Sequence, residues 1–156
     1  MEKFLNHLQE AERIIKISDH MIYVTFPLIK DKRLLLKILL ETKKAVENCV
    51  NSILQYEYFY KRISLKKDSK ENFRTFENKC SRIYNITQNE ICLILELLEL
   101  AERHRRSTME FVRNGKVVIL SESLEHRIIT IEKAKEFLEL AKNILRKTKE
   151  KIRITN

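Results

Sequence analysis

Three groups of basic side chains carry the most direct chemical signal in this 156-residue chain. They are Lys61, Arg62, Lys66 and Lys67; Arg103, Arg105 and Arg106; and Arg146, Lys147, Lys149, Lys151 and Arg153. Ammonium groups bind phosphate oxygens as point charges, and guanidinium groups bind them through paired donors. We predict nucleic-acid binding by Lys61, Arg62, Arg103, Arg105, Arg106, Arg146 and Lys147. Alternatively, each group is a solvated helix C-terminus, where cations offset the negative end of the helix dipole.

Arg13 and His20 form a second candidate site, because their spacing places both on one face of a continuous helix. This spacing resembles the R-x4-6-H motif of the HEPN family, whose members are all-helical dimers and in many cases metal-independent ribonucleases. The resemblance implies that Arg13 and His20 meet across a dimer, where they polarise a scissile phosphate and move its protons. It covers these two residues only, and they lie on the first helix, whereas the family's motif usually lies on a late one. The alternative is an ordinary surface pair.

Four aromatic residues run directly into the first basic group: Tyr56, Tyr58, Phe59 and Tyr60. Aromatic rings beside cations can stack nucleic-acid bases while the cations hold the backbone. Consecutive helix positions point to different sides, so at most two of these rings can share one platform. We expect core packing for Tyr56 and Tyr60, because they continue an apolar stripe towards Ile63.

The remaining reactive residues show no pattern typical of a metal or cofactor site. The histidines lack His-x-x-x-His and Glu-x-x-His spacing: His7, His20, His104 and His126. Glu96, Glu99 and Glu102 form an acidic line that we interpret as the wetted strip of an apolar helix. With Gly115 as the single glycine, no phosphate-binding glycine loop can be built. We therefore expect no metal and no cofactor.

Composition favours a soluble protein with an anionic partner. Lys and Arg number 31 against 22 Asp and Glu, which gives a formal net charge of +9. RNA, DNA and an acidic protein all fit this charge. The odd set Cys49, Cys80 and Cys92 and the charged N-terminal segment favour the cytoplasm. The apolar run over residues 21–29 is shorter than the roughly 20 residues that span a bilayer, so we expect no membrane.

One glycine and one proline in the whole chain favour long helices with few breaks. We predict an all-α fold: an antiparallel bundle of about five helices in a single domain over residues 1–156. The helices are predicted over residues 2–20 and 31–63, around Phe73, Phe76 and Cys80, from Thr87 onwards, and over about 130–153. Pro27 should break or kink the chain after the first helix. Asp68 or Ser69 should cap the third helix, and Thr87 with Glu90 fits a capping box.

Two features of the second half of the chain bear on assembly. The fourth helix is apolar almost all round over residues 91–101, which predicts either the central member of the bundle or a subunit interface. Asn114 and Gly115 lie between β-branched residues, which predicts a type I′ turn. We expect a short hairpin at about residues 108–121 that protrudes between the last two helices.

Two functional hypotheses follow from these features. The first is a noncatalytic cytoplasmic binding and assembly module, a homodimer whose basic surface meets nucleic acid or an acidic protein. The second is a HEPN-like ribonuclease in which His20 acts as acid or base and Arg13 stabilises the phosphate. A third possibility is a purely structural subunit of a larger complex. The sequence leaves open whether the protein is an enzyme.

Overall fold

A computed structural model describes residues 2–31, 33–106, 109–113, 116–120 and 126–155. The predicted all-α class is confirmed, and the helices pack as a bundle. The α-helices are α1 (Glu2–His20), α2 (Phe26–Ile29), α3 (Arg33–Phe59), α4 (Ser69–Thr75), α5 (Gln88–Arg106) and α6 (Ile131–Thr155). Two π-helical turns, Met21–Thr25 and Phe76–Cys80, extend α1 and α4. A bilayer-spanning helix is absent from the described ranges.

Helix α3 is the central member of the bundle, because α1, α5, α6 and one strand all pack against it. Its apolar residues recur every three or four positions, and Leu35, Leu39 and Ile53 are buried. Helix α5 was the predicted candidate for this central place. It buries one face on α3 and α6 but leaves Leu95 44% exposed, so it lies towards the periphery.

Polar contacts fix the relative directions of the long helices. Helix α1 runs antiparallel to α3, because Ser52 Oγ near the end of α3 donates to the Phe4 carbonyl at 2.7 Å. Helix α6 runs antiparallel to α1, with Lys149 Nζ 2.7 Å from Glu12 and Lys142 Nζ 2.5 Å from Asp19. The start of α1 therefore meets the ends of α3 and α6. We call this the α3-end of the bundle.

Helix α5 runs antiparallel to α6. Glu90 at its start pairs with Lys147 near the end of α6, and Glu96 lies 2.9 Å from Lys133 at the start of α6. The C-terminus of α5 therefore points away from the α3-end. As a result, the basic group that includes Arg103 and Arg105 does not join the basic groups at the ends of α3 and α6.

Helix-end signals were predicted correctly where they are local. The Asp68 carboxylate accepts from the Lys70 amide at 3.0 Å, which confirms the cap of α4. The Thr87 amide donates to the Glu90 carboxylate at 3.0 Å, and the Glu90 amide donates to Thr87 Oγ1 at 3.1 Å. This reciprocal pair is the predicted capping box.

Of the break or kink predicted at Pro27, the break is absent, because the chain stays helical to Ile29. Pro27 lies in the first turn of α2, directly after the π-helical turn. A proline removes one regular i→i−4 hydrogen bond from a helix, and here it follows a π-helical turn in which the Phe26 amide already bonds to the Met21 carbonyl instead. The helix ends instead at Lys30, which has a left-handed φ of 55°.

A three-stranded antiparallel sheet connects α5 and α6, in the order β1 (Met109–Arg113), β2 (Lys116–Leu120), β3 (His126–Ile129). Strands β1 and β2 form the predicted hairpin, while its Asn114-Gly115 turn lies outside the described residues. The expectation that it protrudes was wrong, because Val117 and Ile119 are buried in the main core. Strand β3 was not predicted, because its four residues lack the alternation typical of a strand.

Candidate nucleic-acid interface

A small apolar cluster holds the α3-end together. Phe4, Tyr56 and Ile152 bury one another there, apart from the main core. The rings of Phe4 and Tyr56 meet edge to face, with centroids 5.0 Å apart. Such pairs contribute about 0.5–1.5 kcal/mol beyond the burial of their area. The cluster brings Lys3 beside the end of α3, although 57 residues lie between Lys3 and Lys61 in the sequence.

A left-handed residue turns the chain back at the end of α3. The helix was predicted to reach Ile63 but ends at Phe59, because Lys61 adopts a φ of 59°. The Arg62 amide then donates to the Glu57 carbonyl at 3.0 Å, which is the bond of a Schellman cap. This reversal directs the Arg62 side chain back over the aromatic residues of α3.

A buried carboxylate fixes the position of Arg62. The Glu57 side chain is 2% exposed and accepts from Tyr84 Oη at 2.8 Å and from Arg62 Nε. The hydrogen bond to Glu57 raises the pKa of Arg62, and burial together with the same carboxylate raises the pKa of Tyr84. The Arg62 guanidinium carbon lies 5.0 Å from the ring centroid of Tyr60, within cation–π distance. Glu57 therefore neutralises Arg62 and holds it over Tyr60.

A groove of about 770 Å³ opens beside this network, within the usual size range of ligand sites. Its lining residues are Lys3, Phe4, Gln55, Tyr58, Phe59, Lys61, Ile63 and Ser64. The rings of Tyr58 and Phe59 are 52% and 47% exposed. Lys3 and Lys61 are exposed too, and neither forms an ion pair with another described residue. The groove thus combines two accessible rings with two uncompensated ammonium groups.

The basic residues predicted elsewhere lie beside carboxylates of their own helices. Arg103 is 3.0 Å from Glu99, Arg105 is 2.7 Å from Glu102, and Arg146 is 3.1 Å from Glu150. Pairs three or four residues apart on an exposed helix face stabilise by only a few tenths of a kcal/mol, about 0.2–0.5. They leave less net charge for a ligand than Lys61 does. The side chain of Arg106 lies outside the described part of the structure.

Lys147 forms contacts between helices and is not available to a ligand. Its ammonium group donates to the Asn85 carbonyl at 2.7 Å and to the carboxylate of Glu90. The side chains of Lys147 and Glu90 are 16% and 13% exposed. Lys147 therefore joins the end of α6 to the start of α5.

The structure places Arg13 and His20 about two turns apart on α1, both exposed. Arg13 Nε donates to the Glu10 carboxylate at 3.0 Å, which raises the pKa of Arg13. His20 Nδ1 lies 3.3 Å from Thr25 Oγ1. Neither residue lines the groove at the α3-end.

A second groove of about 530 Å³ lies between α3, α4 and α5, with Val50, Leu54, Phe73 and Leu95 among its apolar lining.

Among the residues that the structure describes, no three His, Cys, Asp or Glu side chains are grouped to hold a metal ion. Lys3 and Phe4 were not predicted as members of the first groove, because no local signal links α1 to residues 58–61, whereas the helical spacing of Gln55 to Tyr58 and Phe59 could have identified Gln55. Comparison of this chain with models of known protein families, with curated proteins and with solved structures finds no match in any of the three.

Proposed function

We propose that this protein is a noncatalytic module that binds nucleic acid at the α3-end of its helical bundle. The observation that carries the proposal is the groove in which Lys3 and Lys61, without ion-pair partners among the described residues, flank the exposed rings of Tyr58 and Phe59. Cations bind backbone phosphates, and aromatic rings bind bases. An acidic protein would use the cations but gain little from the rings, so nucleic acid is the better fit.

Charge removal at the groove should weaken binding and reduce its salt dependence. Each lost phosphate contact lowers the slope of log K against log salt by about 0.7 for a single strand. The double variant Lys3→Gln/Lys61→Gln should therefore bind roughly 25-fold more weakly at 0.1 M salt, with a slope smaller by about 1.4. Fluorescence anisotropy of a labelled RNA oligonucleotide over a series of salt concentrations measures both quantities.

The matched control is Lys16→Gln/Lys37→Gln, which removes the same charge from exposed positions of α1 and α3. An equal loss in both double variants would show a diffuse charge effect and contradict the proposed site. Binding that ignores salt, or binding to polyglutamate and not to RNA or DNA, would contradict nucleic acid as the partner.

We also propose that the protein is a homodimer, with contacts through the apolar patch that follows α1. Tyr23, Val24, Leu28 and Ile29 are exposed there, and Leu28 reaches 80%. A contiguous apolar group at this exposure is typical of a protein contact surface. The assembly proposal thus depends more on this patch than on α5. Most leucines of α5 are buried or half-buried, and Leu95 is 44% exposed.

Replacement of Leu28 by lysine should dissociate the dimer. Small-angle scattering should give twice the chain mass of 18.8 kDa for the parent protein and the single mass for Leu28→Lys. Leu95→Lys, on α5, should leave the mass unchanged. A monomeric parent would contradict the proposal. Sedimentation of the parent protein with lipid vesicles, lost in Leu28→Lys, would also contradict it, because the patch would then bind lipid rather than a second copy.

A cytoplasmic location is part of the same proposal. Cys49, Cys80 and Cys92 are all free thiols, and Cys92 is exposed. Burial raises the pKa of Cys49 to about 12 and that of Cys80 to about 11, which keeps both thiols protonated and unreactive. An exposed thiol such as Cys92 persists most readily in a reducing compartment.

The second candidate function is the HEPN-like ribonuclease. The favouring observation is that Arg13 and His20 are both exposed on α1, about two turns apart, where a second copy could approach them. The RNA from the binding assay tests it directly. Cleavage that disappears in both His20→Ala and Arg13→Ala would support this function, and intact RNA with the parent protein would reject it.

A further inference from the structure

We infer that the groove at the α3-end takes single-stranded nucleic acid, whose unpaired bases stack on Tyr58 and Phe59. The inference rests on the proposed function and names its substrate class. Four rings of α3 lie near one another, and the structure shows which of them a ligand can reach.

Two of the four rings are closed to a ligand. Tyr56 is fully buried against Phe4. Tyr60 is partly exposed, but the Arg62 guanidinium lies 5.0 Å from its centroid and Tyr56 contacts it at 4.9 Å. The buried Glu57 carboxylate binds Arg62 and is itself bound by Tyr84. The Arg62 guanidinium is therefore held in place over the Tyr60 ring.

The other two rings line one groove, and Phe59 keeps its exposed part there while it packs edge to face against Tyr60 with centroids 5.1 Å apart. Tyr58 and Phe59 are each about half exposed, and both line the 770 Å³ space together with Gln55. Base–aromatic stacking needs an exposed ring face, and it tolerates any base because every base has a π-face. Two successive rings on α3 can therefore receive two bases of a strand.

The cations of the groove complete the match to a single strand. Lys3 and Lys61 line the same space as the rings, so that phosphates and bases of one strand can bind together. A duplex keeps its bases stacked on each other and would offer the groove only its phosphates. The rings would then contribute nothing, and the groove would favour single strands over duplexes.

The test uses the full chain with oligouridine of about 12 nucleotides and an RNA duplex of the same length, both labelled for anisotropy. Oligouridine should bind more tightly than the duplex. Tyr58→Leu and Phe59→Leu should each weaken oligouridine binding about 5- to 100-fold and leave duplex binding unchanged. Phe73→Leu is the control, because this ring lines the second groove and not the groove at the α3-end. Its affinity should match that of the parent.

A second readout detects the stacking itself. The chain has five tyrosines and no tryptophan, so its intrinsic fluorescence reports tyrosine. Oligouridine should quench part of this fluorescence in the parent and in Phe73→Leu, and the quenching should be lost in Tyr58→Leu. Circular dichroism at parent intensity would show that the variants are folded.

Failures of the two proposals give different results. Equal binding of oligouridine and duplex, with Tyr58→Leu and Phe59→Leu at parent affinity and Lys3→Gln/Lys61→Gln weakened, would overturn the single-strand inference and leave the nucleic-acid proposal intact. Absence of binding to both probes would overturn both.

Discussion

Leu97→Ala is expected to lower the free energy of unfolding by about 2–5 kcal/mol. Leu97 lies in the centre of α5, has no exposed surface, and belongs to the main core. Removal of its side chain loses the transfer free energy of the buried atoms and leaves a cavity that α3 and α6 cannot fill completely. Urea unfolding followed by circular dichroism measures the change as a shift of the midpoint at constant slope.

Leu95→Ala provides the control for this prediction, because Leu95 is two positions away on the same helix and 44% exposed. Its effect should stay within about 1 kcal/mol. Equal effects of the two variants would contradict the packing of α5. Rapid amide exchange around Leu97 would contradict it as well, because the core residues of α5 should open only with global unfolding.

The second large effect is expected for Glu90→Ala, which should cost about 2–4 kcal/mol. Glu90 closes the capping box of α5 and pairs with Lys147 across to α6, and both charged groups are nearly buried. Its removal leaves the Thr87 amide without its side-chain acceptor and Lys147 without its counter-charge. Glu150→Ala is the control, because Glu150 and its partner Arg146 are both more than half exposed and should contribute little.

The effect of Glu90→Ala should depend on pH. Burial alone would raise the pKa of Glu90, but hydrogen bonds from Lys147 and from the Thr87 amide outweigh it and lower the pKa below the ordinary 4.5. A lowered folded pKa means that the ionised group stabilises the protein fully above pH 4.5 and loses this contribution as pH falls through the folded value. The difference between parent and variant should therefore be constant near neutral pH and shrink in acid. A difference that grows in acid would contradict the ion pair.

Local signals explain what could be predicted of the fold. The Thr87–Glu90 capping box and the Asp68 cap join groups two or three residues apart, so their residue types alone predict them. The bounds of α1 follow from a repeat of apolar residues every three or four positions. Pro27 shows the limit of such signals, because a π-helical turn before it moved the helix end to Lys30.

The candidate site was predicted only in part. Lys61 and Arg62 were found from their charge and from the rings before them. The sequence did not show that Arg62 is neutralised by a carboxylate while Lys61 is not. The buried Glu57 that pairs with Arg62 lies inside an apolar stripe, where an ion-pair partner is not expected. The apolar stripe predicted the burial of Tyr56 correctly, but it predicted core packing for Tyr60 as well, which is 40% exposed.

By itself, the sequence determined the helical class, the positive charge and the helix starts, since these depend on composition and on neighbours within one turn. The tertiary structure alone decided which charges are available. Lys147 meets Glu90 57 residues away, and Lys149 meets Glu12 137 residues away, so both cations are compensated. Lys3 and Lys61 line one groove because Phe4 and Tyr56 pack in the same cluster, and the described lining of that groove includes no carboxylate. Such pairings depend on how whole helices pack, and helix packing is set by the sum of many distant contacts rather than by any local pattern.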